Sequence, residues 1–434
     1  MAFSPASHCG RGVHLAAIFM LLTPIRSREY DYLLKGGGEF GLDEGKAVQH
    51  KEASLRTQMK RSFLVLWTLG SALAQSFGQS PPKPRFDKAV SSPEVHADRT
   101  VTFRFFAPNA KAVFLEREGA KRAALTDDGK GVWSLTTEPL APDYYVYSYV
   151  VDEVQLADPA NPLLKTIVTG GSESVVHVPG PRDLLWETAD VPHGTLHEHT
   201  IRSNILGEGR PFWVYTPPNY AARGTRYPAL YLLHGVMDDG TAWISAGQAN
   251  VILDNLIARG QVKPMILVMP LGYGFADPAN HVGDLFAWGA DQKKIMDTFA
   301  STLFDEIMPE VEHDYEVDTR NQAVAGVSMG GAQALYMGLN SPDRFTAIGG
   351  FSPAVIMYGR LAHFFPELDT KKIEKMKLLT ISCGTEDFLY GPVQSYRGWL
   401  KSKGVAFTPI DTPGGHTWLV WRRNLIDFAP KLFR

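Results

Sequence analysis

The run Gly326-Val327-Ser328-Met329-Gly330-Gly331 sets a serine among glycines, after an apolar stretch and before the small-residue stretch 332–339. G-x-S-x-G alone is weak evidence, so its weight comes from its place between an expected strand and an expected helix. Such a turn holds the serine in a sharp, exposed conformation, and the glycines leave room for it. The N-terminus of the following helix favours developing negative charge. A serine nucleophile needs a base, and the base needs an orienting acid. Downstream, the apolar run 378–383 ends in Gly384-Thr385-Glu386-Asp387, and the run 405–411 ends in Pro413-Gly414-Gly415-His416-Thr417-Trp418. His416 would take the Ser328 proton and return it to a leaving alcohol. Asp387, preferred to its neighbour Glu386, would hold the imidazole in the useful tautomer. The chemistry would be acyl transfer. Its oxyanion would need N–H donors, which we assign to Met329 and to Val236 in His234-Gly235-Val236-Met237, with Met237 the neighbouring option. His234 is read as orienting that loop, outside the triad.

Elements must bring these distant residues together. Residues 231–233 and 265–269 are short continuous apolar runs, as in strands buried on both faces. Residues 322–327, 345–351, 377–383 and 405–411 add further strands, and 195–203 and 210–216 open the domain. Helical spacing is expected over 249–259, 299–311, 394–403 and 419–432. Strands alternating with helices predict an α/β fold with a mostly parallel sheet covered on both faces, and ligands collect at the loops that follow such strands.

The preceding region, residues 95–178, has a different grain. Short β-type runs at 101–106, 112–116, 132–135, 144–151 and 175–178 are separated by Pro, Gly, Asn and Asp, which predicts a small all-β sandwich. Tyr145, Tyr147 and Tyr149 share one strand face. They could stack on sugar, or face the core or the neighbouring domain, which is the commoner fate of such stripes.

The chain has 434 residues, 43 Lys+Arg against 46 Asp+Glu and a formal charge of −3. That length suggests two or three domains, and that balance gives no electrostatic reason for nucleic acid or an anionic membrane as partner. Two cysteines cannot build a disulfide framework or a Cys-rich zinc site, and there is no H-E-x-x-H. No metal and no cofactor are expected. His197 and His199 share a strand face, as ordinary polar surface does. Cys383 is read as a buried small hydrophobe.

Residues 59–74 have a charged start at Met59-Lys60-Arg61, an apolar run 63–69 and small residues Ser71 to Ala74, the layout of a secretory signal. The apolar run is too short to span a membrane. Residues 1–58 would then be an over-extended, unstructured start, residues 75–94 a linker, and the mature chain secreted or periplasmic. The alternative is that residues 15–25 are the targeting segment.

Two resemblances extend this reading. The runs "TVTFRFFAPNAKAVFL", "GVWSL", "YYVYSYVVD" and "DPANPLLK" resemble the early-set immunoglobulin-like module that precedes catalytic domains in glycogen-branching enzymes. Some relatives of that module bind glucans, and others only pack on their neighbour. From about residue 195 onward, "YPALYLLHGVMDDGTAW", "FDEIMPEVEHDYEV", "AVAGVSMGGAQAL", "FSPA", "SCGTEDFLY" and "GGHTW" resemble the putative-esterase family of α/β-hydrolases. That family includes feruloyl, acetyl-xylan and enterochelin esterases. The resemblance implies an α/β-hydrolase domain over 179–434, with Ser328, Asp387 and His416 in the catalytic places.

The export segment favours a secreted esterase acting on feruloyl or acetyl esters of plant polysaccharide over a siderophore esterase. A non-catalytic carbohydrate-binding protein with a relic hydrolase domain is the rival from another class, and the complete triad argues against it. Trp243, Tyr273, Phe388, Tyr390 and Trp418 lie near the active loops and could line a slot for a phenolic acid or sugar. Asp284 and His281, in the loop 272–289, receive no role.

Overall fold

The computed structural model describes residues 90–434 except 182, 222–223 and 287–290, so the expected start, signal and most of the linker lie outside the described residues. Ten strands form two antiparallel sheets. Strands β1 (Glu94–Val95), β2 (Val101–Phe106), β3 (Val113–Arg117), β4 (Ala123–Ala124), β5 (Thr126–Asp127) and β6 (Val132–Thr136) come first. Strands β7 (Asp143–Val151), β8 (Val154–Leu156), β9 (Leu164–Thr166) and β10 (Ser172–Val178) follow. One sheet runs β1-β2-β6-β5; the other runs β4-β3-β7-β10-β9, with β8 on β7.

The alternation of strand side chains explains how β7 is used. Tyr145, Tyr147 and Tyr149 point to one face and are buried with Phe103, Phe105, Val113 and Leu115 between the sheets. The Tyr147 and Tyr149 hydroxyls bond to Asp158. The tyrosine stripe is therefore sandwich core, and a sugar-stacking role is overturned by its burial. Val146, on the opposite face, joins Val175 in a second core with Trp243, Trp418, Trp421 and Leu425. Both faces of β7 are covered, the second by the α/β part.

That part holds β11 (Thr195–Arg202), β12 (Gly209–Thr216), β13 (Tyr227–Leu233), β14 (Ile266–Pro270) and β15 (Val317–Val327), then β16 (Ala347–Phe351), β17 (Leu378–Gly384) and β18 (Thr408–Thr412). Their order is β11-β12-β14-β13-β15-β16-β17-β18. The pairs from β14-β13 to β17-β18 are parallel; β11 and β12 pair antiparallel at one edge. The longer helices are α1 (Ala249–Ala258), α2 (Gln292–Ser301), α3 (Ser328–Asn340), α4 (Tyr390–Ser402) and α5 (Trp418–Phe428). The sheet separates two apolar layers, one containing Met296, Leu335 and Tyr396, the other Ile252, Leu425 and Phe428. This is the expected α/β fold preceded by an all-β sandwich. Where a single helix was expected over 299–311, α2 ends at Ser301 and a π-helical turn, Thr302–Ile307, leads into Met308–Asp314.

The sandwich and the α/β part lie in one compact unit. Arg422 on α5, fully buried, bonds Asp143 on β7 at 2.5 Å and the Tyr144 carbonyl at 2.5 Å. Arg423 reaches the other Asp143 oxygen at 2.8 Å. Among the described residues no helix is long and apolar enough to cross a membrane.

Candidate active site

Ser328 stands between β15 and α3 with φ +51°, the left-handed region that a non-glycine residue enters only when its surroundings compel it. The glycines compel it by contact. A side chain on Gly326 would meet the Gly330 carbonyl carbon at 2.5 Å, and one on Gly330 would meet the His234 oxygen at 2.5 Å. Ser328 is 6% exposed, more enclosed than the expected exposed turn. It begins α3, so the unpaired N–H groups and the positive end of the helix dipole lie beside its oxygen.

Asp387 and His416 follow the ends of β17 and β18, two and three places along the sheet from β15. His416 Nδ1 donates to Asp387 Oδ2 at 2.8 Å, and the Leu389 N–H donates to Oδ1 at 2.8 Å. A carboxylate only accepts, so Nε2 is left as the basic nitrogen. Burial works to raise the Asp387 carboxyl, but the His416 ring and the Leu389 N–H outweigh it and hold the carboxyl below its ordinary value. Glu386 is exposed, so the carboxylate on the imidazole is the buried neighbour. Among the described residues the Ser328 hydroxyl and His416 Nε2 are not hydrogen-bonded to each other. Such bonds commonly close only on the bound substrate.

The loop after β13 supplies the other wall. A side chain on Gly235 would lie 3.6 Å from Ser328 Cβ, so this backbone passes next to the nucleophile. Its turn closes through the Asp238 N–H on the Gly235 oxygen, with Met237 at φ +69°. The Val236 N–H, inside that turn, has no acceptor among the described residues. Val236 and Met329 share one apolar cluster with Leu271 and Tyr273. His234 is fully buried, accepts from the Gly272 N–H at 2.8 Å and turns its Nδ1–H to the Gly235 oxygen at 2.7 Å. Burial brings this imidazole down to about 4, so it stays neutral and ties the β13 and β14 loops together.

The aromatic residues expected in the substrate slot divide sharply. Trp243 is fully buried, with its indole N–H on the Leu233 oxygen and its ring on Trp418. Trp418 is 2% exposed, and Tyr273 is fully buried with its hydroxyl on the Asp238 oxygen. These three are packing residues and no slot lining: their polar atoms already have partners inside the core or their rings are enclosed. Phe388 is 71% exposed, with its ring 4.7 Å from the His416 ring. Tyr390 is partly buried and bonds Asp411. Trp421, which its place in a helix concealed, meets the His416 ring edge-on at 4.8 Å.

His199 stacks on Phe212 and bonds Tyr315, while His197 bonds Thr216, so both belong to an aromatic patch at the sheet edge. Cys383 is buried, and burial raises its thiol to about 12, unsuited to a nucleophile. The Asp284 side chain lies outside the described residues.

Residues 203–382 match the family model described as "Putative esterase". An endo-1,4-β-xylanase/feruloyl esterase of Xylanibacter ruminicola is 31% identical over 367 residues, 81% of this chain and 47% of that protein. The chain thus spans about half the length of this relative. An iron(III) enterobactin esterase of Escherichia coli is 25% identical over 293 residues, 64% of this chain and 68% of that protein. Among solved structures, the enterochelin esterase of Shigella flexneri superimposes with a TM-score of 0.60 at 20% identity, over 80% of this chain and 96% of the other, a likeness of fold. With its family match, its parallel sheet and its serine elbow at the end of β15, the α/β part of this chain belongs to the putative-esterase family of α/β-hydrolases.

Proposed function

We propose that this protein is a serine carboxylic-ester hydrolase that cleaves feruloyl or acetyl esters of plant cell-wall polysaccharide through an acyl-enzyme on Ser328. The observation that carries the reading is the Asp387–His416 hydrogen bond after the ends of β17 and β18, the same edge of the parallel sheet at which β15 ends in a serine at positive φ. Ser328 Oγ attacks the ester carbonyl while His416 Nε2 takes its proton. The carbonyl oxygen, now negative, faces the Met329 and Val236 N–H groups. Collapse expels the alcohol, protonated by His416, and leaves the acyl group on Ser328. Water, deprotonated by the same nitrogen, then releases the acid.

The substrate class rests on the relative named as a xylanase/feruloyl esterase and on the exposed Phe388, a ring on which a phenolic acyl group could lie. The match to an enterobactin esterase supports a second reading, a catecholate siderophore ester. Residues 59–74 favour the first, because an exported enzyme meets cell-wall polymer. Purified protein should hydrolyse methyl ferulate or p-nitrophenyl acetate, and Ser328→Ala should not. Inactivity of the wild type on these and other esters would sink the enzyme reading in favour of a carbohydrate-binding relic. Parallel assays on feruloylated arabinoxylan, acetylated xylan and a catecholate siderophore separate the substrates. Peptides from before residue 59 in the exported protein would refute the expected start.

A further inference from the structure

A buried ion pair outside the triad joins the sandwich to the loop after β13. Lys165, on the short edge strand β9, is 4% exposed; its ammonium donates to Asp238 and to Glu173 Oε2 at 2.8 Å. Asp238, 6% exposed, closes the turn that contains Val236. Three residues beyond Lys165, the Val168 N–H donates to the Met237 oxygen at 2.8 Å, and the Val168 side chain packs into the cluster holding Met329 and Val236. The sandwich therefore grips the same turn twice, once by side chain and once by backbone.

We propose that the sandwich completes the active site, with Lys165 as a positioning residue that fixes the Val236 N–H through Asp238. The inference rests on the serine-esterase reading above. From the α/β side the turn is held by His234 on the Gly235 oxygen and Tyr273 on the Asp238 oxygen, which leaves the Asp238 carboxylate and the Met237 carbonyl for the sandwich to fix. A buried ion pair of this kind contributes registry more than net stability. The geometry it fixes is costly to lose, since a displacement of about 1 Å at such a donor lowers turnover on the order of 10²-fold. Burial raises the Asp238 carboxyl to about 6 even with Lys165 pulling it down, so the aspartate needs its partner to stay ionised at neutral pH.

The test compares wild type, Lys165→Met and the charge-balanced pair Lys165→Met/Asp238→Asn, all in the full chain. Tm, kcat and KM on p-nitrophenyl acetate and affinity for phenylboronic acid, a tetrahedral mimic, are measured for each. A structural role alone predicts that the pair, which leaves only the partly exposed Glu173 without its cation, regains both Tm and kcat. The positioning role predicts that Tm recovers while kcat stays down by about 10²-fold, KM changes less than about threefold, and boronate binding weakens in step with kcat. Wild-type kcat in either folded variant overturns the inference while leaving the esterase reading intact; an inactive wild type overturns both. If Lys165→Met does not fold, the near-isosteric Asp238→Asn carries the same prediction, and unchanged kcat there also overturns it.

Discussion

At the scale of single residues, the account assigns one proton path and a short set of side chains around it. Ser328→Ala should lose at least about 10⁴-fold in kcat, and Asp387→Asn a similar factor by leaving His416 in the wrong tautomer. Glu386→Gln, one position away and exposed, should stay within about twofold, so the pair of variants reads which carboxylate orients the imidazole. Phe388→Ala should raise KM for a feruloyl ester about fivefold, the loss of one aromatic contact worth about 1 kcal/mol, with Tm unchanged. Trp243→Ala should instead cost about 3–5 kcal/mol of stability, measured by denaturant unfolding, because it empties a fully buried site. The contrast between these two aromatics was hidden in the sequence: both sit beside active loops, and only packing decides which ring meets solvent. The order Ser328, Asp387, His416 was legible because Ser328 and Asp387 follow recognisable apolar strands and His416 follows the strand-like run 405–411. Lys165 and Asp238 were not, because a lysine in a strand of the sandwich and an aspartate in a loop carry no periodic signal of their pairing.

At the scale of elements, α5 shows how the sandwich reaches the histidine loop. Glu118, in the turn after β3, accepts from the Trp418 N–H at 2.7 Å and from the Val146 N–H at 3.1 Å, and so caps the helix that begins two residues after His416. Burial pushes its carboxyl from 4.5 up to about 7, against the pull of Arg422 and of those two N–H groups. The folded chain then binds more protons than the unfolded chain between these values, so this group's contribution to stability falls as pH rises through that window. The Tm of Glu118→Gln, taken relative to wild type, should climb as pH goes from about 4.5 to about 7, and a flat difference would contradict the assignment. The strands of the α/β sheet and the five longer strands of the sandwich could be placed from period and turn residues, while the short β1, β4, β5, β8 and β9 could not and edges moved: β15 begins at Val317, well before the apolar run that announced it. The π-helical turn after α2 left no mark, since helical spacing is the same to within a residue on either side.

At the scale of the whole molecule, the sandwich and the α/β part share buried charge and buried apolar surface. Asp143→Ala should destabilise the full chain by about 3–5 kcal/mol, since it leaves Arg422 buried without its partner, and urea unfolding reads that directly. For the same reason residues 195–434 expressed alone should aggregate or stay inactive where the full chain is soluble. A soluble, fully active fragment would show that the sandwich is a passenger. None of this cross-domain pairing could be read from composition, because Asp143 and Arg422 lie 279 positions apart. The near-neutral charge of −3 is consistent with the uncharged polymer proposed as target. Every step of the proposed reaction depends on Ser328 as nucleophile. The most direct test quenches the wild-type chain with acid during turnover of p-nitrophenyl acetate and maps the adduct by peptide mass spectrometry. The account predicts one acetyl group on Ser328, absent from Ser328→Ala; hydrolysis that persists in Ser328→Ala, with no acyl group on the wild-type serine, would contradict it.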